Sequence, residues 1–343
     1  MTGLWASPTW LLPVASGLCV ALLTWPLRAW LLRRRLLDMP EARRSHERPT
    51  PRGGGLAIAL VMMLFWLALP DTRGAWMPVM CLVLAMAGLG WIDDRYGLAT
   101  RWRLLVQAGG AAGFLWLVGG IPAVDWLGQA WVVPGLWTVL GAVAIVWLIN
   151  LHNFMDGSDG LAAAQGSWCA LVMAWLFFDS GESPLAALAL VAAGAWVGFL
   201  FWNRPPARIF MGDSGSLALG ALIAALAVMG SNTGAFSIWI SLMLSSLFVV
   251  DATATLLWRV MKGERWYTAH RQHAYQRLLD LGLSHGQVVG VCTLVNVFLV
   301  LPLVVLGQRW PMADTLLAAG LTALLVVGWQ VVQSAATVNN DKA

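Results

Sequence analysis

The chain has 343 residues, of which 59% are hydrophobic and 11% charged, with a formal net charge of +4. Soluble domains carry about 25% charged residues, so most of this surface must contact lipid. The composition excludes an ordinary soluble enzyme. It predicts an all-α polytopic membrane protein, because the apolar runs lack the alternation of polar and apolar residues that is typical of a β-barrel.

Eleven apolar runs approach the roughly 20 residues that a transmembrane helix needs. They lie at approximately 9–32, 54–70, 76–92, 104–120, 131–149, 161–178, 185–202, 214–230, 236–258, 286–306 and 312–333. No low-complexity linker separates them, so we expect a single transmembrane domain over residues 1–343.

Arginine and lysine are concentrated in the loops that follow the first, third, seventh and ninth runs, and only Arg73 and Arg309 fall in the opposite loops. Loops rich in these residues stay in the cytoplasm. We therefore expect a periplasmic N-terminus, a cytoplasmic C-terminus and polar motifs that share the cytoplasmic face. Residues 1–8 lack the basic region of a cleavable signal peptide. The four cysteines all lie in apolar runs and predict neither a disulfide nor a metal site.

An adjacent pair of aspartates, Asp93 and Asp94, ends the third run. This is the carboxyl end of a predicted helix, where the dipole disfavours an anion by about 0.3–1 kcal/mol. A structural role, offset by pairing with Arg95, Arg101 or Arg103, is the alternative. We favour a functional pair that binds a divalent metal, accepts a proton, or does both.

Asn150, Asn153, Asp156 and Asp159 recur at every third residue at the inner end of the fifth run, and would share one face of a helical turn. Asp159 also suits the N-cap of the next helix. The other three have no such structural explanation and are suited to ligate a cation or to hydrogen-bond a polar ligand.

The segment that precedes the eighth run contains Arg208, Asp213 and two glycines, Gly212 and Gly215. Asp213 is either a helix N-cap or part of a phosphate site, because helix N-termini attract phosphate. The glycines allow close backbone approach, and Arg208 could hydrogen-bond to phosphate oxygens.

The longest inner loop carries His270, Arg271 and His273. No cysteine or third histidine completes a zinc site, so we favour donors to a sugar or phosphate. An amphipathic surface helix from Ala269 to Leu281 is the alternative.

His46, Arg48 and Arg52 lie in a non-helical loop rich in proline and glycine, where they predict anion contact or, alternatively, a topology signal. Asp251 lies inside the ninth run, where an ionised carboxylate costs roughly 2.5–3.5 kcal/mol at the bilayer centre. It must therefore face protein, either supporting the site or forming a structural pair.

Together these groups supply what phosphate transfer requires: a metal site, cations that hold phosphate oxygens, and a carboxylate that receives a proton. No Walker or kinase loop accompanies them, so ATP hydrolysis is not indicated. A transporter is the rival class, but transporters bind their substrates near the bilayer midplane, and here only Asp251 lies deep.

Four ordered motifs, WIDDR, NLHNFMDGSDGLA, RIFMGDSGSL and HRQHAYQRL, resemble those of the polyprenyl-phosphate N-acetylhexosamine-1-phosphate transferases (glycosyltransferase family 4) over roughly residues 45–285. The resemblance implies that a UDP-N-acetylhexosamine reacts with undecaprenyl phosphate to give UMP and the lipid-diphospho-sugar. It implies Mg²⁺, with Mn²⁺ as a substitute, and a place in the bacterial cytoplasmic (inner) membrane. Analogy with the peptidoglycan enzyme of the family allows a homodimer.

Carried over by motif, the resemblance makes Asp93 and Asp94 the catalytic pair and Asn153 and Asp213 the metal ligands. It puts Asp156 and Asp159 in the nucleotide pocket, Phe210 against uracil, and the histidine loop at the sugar and diphosphate. With the candidates named above, the predicted substrate-binding set is His46, Arg48, Asn150, Asp156, Asp159, Arg208, Phe210, His270, Arg271 and His273.

The late loop also indicates a branch of the family. The peptidoglycan enzyme, phospho-MurNAc-pentapeptide transferase, has three consecutive histidines there, whereas this chain has HRQH. The loop therefore resembles the initiators of O-antigen or exopolysaccharide synthesis, whose donors include UDP-GlcNAc, UDP-FucNAc and UDP-QuiNAc. The peptidoglycan reaction is the alternative.

Overall fold

A computed structural model describes residues 8–39, 49–69, 74, 76–265, 268 and 270–340. A short 3₁₀ turn, Pro8–Trp10, precedes the first α-helix. The helices are α1 (Leu11–Arg33), α2 (Gly55–Ala68), α3 (Trp76–Tyr96), α4 (Thr100–Leu117), α5 (Pro134–Phe154), α6 (Leu161–Asp179), α7 (Ser183–Asn203), α8 (Asp213–Thr233), α9 (Ile238–Met261), α10 (Ala274–Asp280), α11 (His285–Val295), α12 (Leu301–Arg309) and α13 (Asp314–Asn340).

The all-α polytopic fold is confirmed. Within the described ranges, nine helices are long and apolar enough to cross a membrane. One of them runs over residues 285–309, because the π-helical turn Asn296–Val300 joins α11 to α12. Every predicted run forms a helix, but α2 has only 14 residues and α4, with 18, is not among the nine. The count of eleven spans and their orientation stay predictions.

Helix α8 is the centre of the bundle. All residues from Ser214 to Gly230 are buried, and the helix packs against α2, α3, α5 and α6. Small residues permit the closest of these approaches, as is usual for helix pairs in membranes. A Cβ at Gly90 of α3 would overlap the backbone of Asp213, and one at Gly55 of α2 would overlap Gly215. The amino end of α8 is thereby held against α2 and α3.

The described residues also form two short antiparallel strand pairs. β1 (Leu37–Asp38) pairs with β2 (Thr50–Pro51), and β3 (Val124–Trp126) pairs with β4 (Gln129–Trp131). Immediately after β2, Arg52 forms a parallel bridge with Phe210, and the Phe210 N–H donates to the Pro51 carbonyl at 2.8 Å. This pairing brings the segment after β2 to the amino end of α8.

Candidate active site

A polar cleft of about 520 Å³ lies where α3 and α5 end and α8 begins. It brings together residues from all four predicted motifs, although they are far apart in the chain. The predicted site residues that line it are Asp93, Asn153, Asp156, Asp159, Phe210, Asp213 and His270.

Asp94 joins the end of α3 to the beginning of α8. Its carboxylate is 4% exposed and accepts hydrogen bonds from the backbone N–H groups of Asp213 and Ser214, at 3.0 and 3.1 Å. These donors belong to the positive amino end of α8, which favours an anion. The cost of a carboxylate at the carboxyl end of α3 is therefore offset by the neighbouring helix.

Asp93 lines the cleft beside Arg103 of α4. The Arg103 guanidinium donates to Oδ2 of Asp93 at 2.6 Å, and the Leu98 N–H donates to Oδ1 at 2.7 Å. Nη1 of Arg103 is also 3.8 Å from a carboxylate oxygen of Asp213. Arg103 therefore compensates the charge of Asp93 and, more weakly, that of Asp213.

Arg52 bridges the other two carboxylates. Its Nε lies 2.7 Å from Oδ1 of Asp94, and its Nη2 donates to Oδ1 of Asp213. Burial alone would lower the pKa of this guanidinium, but the carboxylates of Asp213, Asp94 and Asp156 outweigh burial and raise the pKa. Arg52 is therefore a permanent cation within the acidic cluster.

Asn153, the last polar residue of α5, contacts the same cluster. Its amide nitrogen donates to Oδ1 of Asp213 and to the Ser216 hydroxyl, both at 2.9 Å. An amide and a carboxylate from two packed helices thus face one point in the cleft.

The loop between α5 and α6 carries Asp156 and Asp159. Burial raises the pKa of Asp156 well above its ordinary value, against the lowering effect of Arg52. The sequence also suggested Asp159 as the N-cap of α6, but the N-cap is Gly160, with a φ of 77°. Oδ2 of Asp159 instead accepts the Ala207 N–H at 2.8 Å, which ties this loop to the segment before α8.

His285 holds the same loop from the other side. Its Nδ1 lies 2.9 Å from the Ser158 hydroxyl and accepts the Asp159 N–H at 3.2 Å. Both Ser158 and His285 line the cleft. The α5–α6 loop is therefore fixed between α11 and the segment that follows α7.

The histidine loop meets the cleft through His270. Burial lowers the pKa of His270 to about 4, helped by the nearby His273 and Arg259. His273 is buried and does not line the cleft; its Nδ1 is 3.6 Å from Asp251. Arg271 pairs with Asp280 at 3.0 Å. The predicted surface helix is confined to α10, Ala274–Asp280.

Two more predicted residues lie outside the cleft lining. Asn150 donates to the Gln107 side chain at 2.7 Å and to the Val146 carbonyl at 2.8 Å, inside the bundle. Arg208 is exposed, with its guanidinium 6.0 Å from the centre of the Trp202 ring. His46 and Arg48 lie outside the described residues.

Sequence reasoning did not assign Arg52, Arg103, Ser158 or His285 to the site core. Arg52 was suggested only as an anion contact or a topology signal, and Arg103 only as a neutralising partner. The sequence feature that could have identified Arg52 as a site residue is its position beside the glycines that precede α2. His285 follows Ser284, which caps α11. The local sequence therefore marks His285 only as the first residue of a helix and gives no sign of a role in the site.

The site can be tested for fit to a magnesium ion. Among the described residues, no three or more His, Cys, Asp and Glu side chains form a group that could hold a metal. Mg²⁺ commonly takes only one or two carboxylates and completes its shell with water and substrate phosphates. The Asp213 carboxylate and the Asn153 amide oxygen are hard donors that fit such a partial site, with room beside them in the cleft.

Comparison with known proteins identifies a family. Residues 76–231 match the family model of glycosyl transferase family 4, which covers α3 to most of α8. The matched stretch contains every carboxylate of the Asp93–Asp94–Asp213 cluster.

Similar proteins cover most of the chain. A probable undecaprenyl-phosphate N-acetylglucosaminyl 1-phosphate transferase of Bacillus subtilis (strain 168) is 28% identical, over 96% of this chain and 92% of its own. A decaprenyl-phosphate N-acetylglucosaminephosphotransferase of Mycobacterium tuberculosis (strain ATCC 25618 / H37Rv) is 33% identical, over 80% and 77%. A phospho-N-acetylmuramoyl-pentapeptide-transferase of Synechococcus sp. (strain JA-3-3Ab) is 32% identical, over 83% and 87%.

Proposed function

We propose that this chain, which belongs to glycosyl transferase family 4, transfers an N-acetylhexosamine-1-phosphate from a UDP-sugar to undecaprenyl phosphate and releases UMP. Its relatives support the broader activity, the transfer of a sugar-1-phosphate to a polyprenyl phosphate in a bacterial membrane. The donor and the lipid are parts of the proposal.

One observation supports this proposed function most strongly. Three aspartates, Asp93, Asp94 and Asp213, and two arginines, Arg52 and Arg103, meet at the mouth of a bundle of apolar helices. A phosphate on a membrane lipid and a diphosphate from solution can both reach such a place. The arginines offer bidentate hydrogen bonds to phosphate oxygens, and the carboxylates offer a base and a cation site.

The reaction exchanges one phosphoanhydride bond for another. An oxygen of the lipid phosphate attacks the phosphorus that carries the sugar. The bond from that phosphorus to the UMP oxygen breaks, and UMP leaves with the bonding electrons. Asp93, which lines the cleft, would take the proton of a monoprotonated lipid phosphate. Arg103, 2.6 Å from Asp93, would orient that phosphate.

Asp213 and Asn153 would hold Mg²⁺, which supplies charge neutralisation on the diphosphate when it is bound. Phe210 and Asp156 line the same cleft and would receive the nucleotide, Phe210 by stacking on uracil. His270, neutral at pH 7 because its pKa is lowered to about 4, would hydrogen-bond to the sugar or diphosphate without adding charge.

A second reaction, phospho-MurNAc-pentapeptide transfer, is favoured by one observation: relatives named for it are about as similar as those named for N-acetylglucosamine phosphate transfer. The HRQH loop favours a donor for O-antigen or exopolysaccharide initiation instead. The two reactions share the cleft chemistry and differ in the donor.

The test is UMP release by the purified protein with undecaprenyl phosphate and Mg²⁺. UDP-GlcNAc, UDP-GalNAc, UDP-FucNAc, UDP-QuiNAc and UDP-MurNAc-pentapeptide are offered in parallel. We expect one N-acetylhexosamine donor to react, and the reaction to stop with EDTA and in Asp93→Asn. Turnover of UDP-MurNAc-pentapeptide alone would establish the second reaction. No UMP from any donor, with folded protein, would contradict both.

A further inference from the structure

We infer that Arg52 exchanges partners during the reaction: it holds Asp94 and Asp213 before the substrates bind, and moves to phosphate oxygens when a divalent cation takes Asp213. Arg52 would then weaken cation binding to the substrate-free protein and strengthen it once a diphosphate is present. This inference rests on the proposed function, because it assigns Arg52 a role toward the same metal and the same phosphates.

The first support is that Arg52 and Asn153 both contact one carboxylate oxygen of Asp213. Oδ1 of Asp213 accepts hydrogen bonds from Nη2 of Arg52 and from the amide nitrogen of Asn153. A cation that binds this oxygen must displace both donors. Asn153 can turn its amide and offer its oxygen instead, but a guanidinium has no acceptor atom and must leave. Arg52 and the cation therefore compete for Asp213.

The second support distinguishes the two arginines. Arg103 donates to Asp93 at 2.6 Å and lies 3.8 Å from the other oxygen of Asp213. It keeps its main partner when a cation binds at Oδ1. Arg52, by contrast, has its two short contacts on Asp94 and on Oδ1 of Asp213 itself. The exchange is therefore specific to Arg52.

The third support is that the backbone of Arg52 is hydrogen-bonded while its side chain is partly exposed in the cleft. Its backbone N–H donates to the Leu36 carbonyl at 3.2 Å, and the residue bridges to Phe210. Its side chain is 32% exposed and lines the cleft. A rotation of the side chain alone can therefore carry the guanidinium from the carboxylates to a phosphate in the cleft, where its planar fork matches two oxygens.

The experiment measures Mn²⁺ affinity of the purified full-length protein in detergent, by calorimetry and by the electron paramagnetic resonance of unbound Mn²⁺. Wild type is compared with Arg52→Gln, with Arg52→Lys, and with Arg101→Gln as the matched control. Arg101 is exposed, lies near Arg103 at the start of α4, and has its guanidinium over the Trp102 ring. Its loss changes the net charge equally without touching the cluster.

Without nucleotide, we expect Arg52→Gln to bind Mn²⁺ about three- to tenfold more tightly than wild type, the size of a modest ion pair. Arg101→Gln should stay within about twofold of wild type, because exposed charges are screened. An Arg52→Gln affinity equal to or weaker than wild type would overturn the inference. So would an equal gain in Arg101→Gln, because the effect would then be one of net charge.

The second arm repeats the titration with saturating UDP as the diphosphate probe. We expect UDP to tighten Mn²⁺ binding in wild type by at least about threefold more than in Arg52→Gln, because only wild type can move the Arg52 guanidinium onto the diphosphate. Equal tightening in both proteins would contradict the exchange. If Arg52→Gln does not fold, Arg52→Lys carries both arms, since one ammonium group cannot span two carboxylates as a guanidinium does.

This readout is separate from transfer. UMP release by wild type decides the proposed function, and the ratio of Mn²⁺ affinities decides the role of Arg52. Failure of the proposed function and failure of the Arg52 exchange therefore give different results.

Discussion

The carboxylate of Asp251, inside α9, accepts a hydrogen bond from the backbone N–H of Ala274 at 2.7 Å, at the start of α10. It also accepts the Tyr275 N–H at 3.2 Å and the Thr255 hydroxyl at 3.2 Å. The Tyr275 hydroxyl in turn donates to the carbonyl of Phe154, the residue after Asn153. Asp251 therefore supports the site by capping the helix that anchors the histidine loop.

Replacing this cap should loosen the loop. We expect Asp251→Ala to lower stability by about 1–2 kcal/mol, the usual cost of a lost helix cap, and to reduce transfer. Asp251→Asn keeps one acceptor oxygen and should lose less of both. Thermal melting in detergent and UMP release measure the two effects. Asp179→Asn, at the exposed end of α6, is the control, and an equal loss there would show that the cap is not the cause.

The crossing of α3 and α8 depends on Gly90. An added Cβ at this position would overlap the Asp213 backbone, so we expect Gly90→Ala to cost about 1–3 kcal/mol and to displace Asp213 from the cluster. Gly88, on the same helix, has open space where its Cβ would be. Gly88→Ala should be neutral or stabilise by up to about 1 kcal/mol. Similar melting temperatures for the two variants would contradict this account of the crossing.

Substitutions at the two adjacent aspartates should differ in their effects on transfer activity and on stability. Asp93 lies in the cleft and pairs with Arg103, so Asp93→Asn should reduce transfer by about 100-fold or more and, through the weakened ion pair, lower stability by up to about 1 kcal/mol. Asp94 is bonded to the amino end of α8, so Asp94→Asn should also cost about 1–3 kcal/mol of stability. Parallel melting and UMP assays separate the two; a large stability loss in Asp93→Asn alone would reverse the assignment.

Local sequence patterns predicted the helices and part of the site. Asp93, Asn153 and Asp213 are recognisable because each is a polar residue at an end of an apolar run, and helix geometry then brings those ends together. Arg52 and His285 were not assigned because their partners, Asp213 and Ser158, are 161 and 127 residues away. Such contacts depend on how helices cross, which is decided at positions such as Gly90 and is not visible in periodicity.

The orientation predicted from arginine and lysine can be checked directly. Reporters fused after Gly97, which follows α3, and after Lys262, which follows α9, should both report the cytoplasm. Gly97 lines the cleft, so its side is the side from which the proposed nucleotide donor would arrive. A periplasmic signal at either position would separate the cleft from a cytoplasmic donor.

His270 should make stability depend on pH in a defined direction. Its pKa is lowered to about 4 in the folded protein, mainly by burial, against an ordinary value of 6.5. As pH falls from about 6.5 toward 4, the unfolded chain takes up a proton that folded His270 does not, so stability declines in this window. We expect His270→Gln to flatten the decline in melting temperature between pH 6.5 and pH 4.5.

Above pH 6.5 His270 is neutral in both states, so wild type and variant should show the same pH dependence there. A variant curve as steep as wild type below pH 6.5 would mean that His270 titrates near its ordinary value, and that it is a cation when the diphosphate binds under mildly acidic conditions.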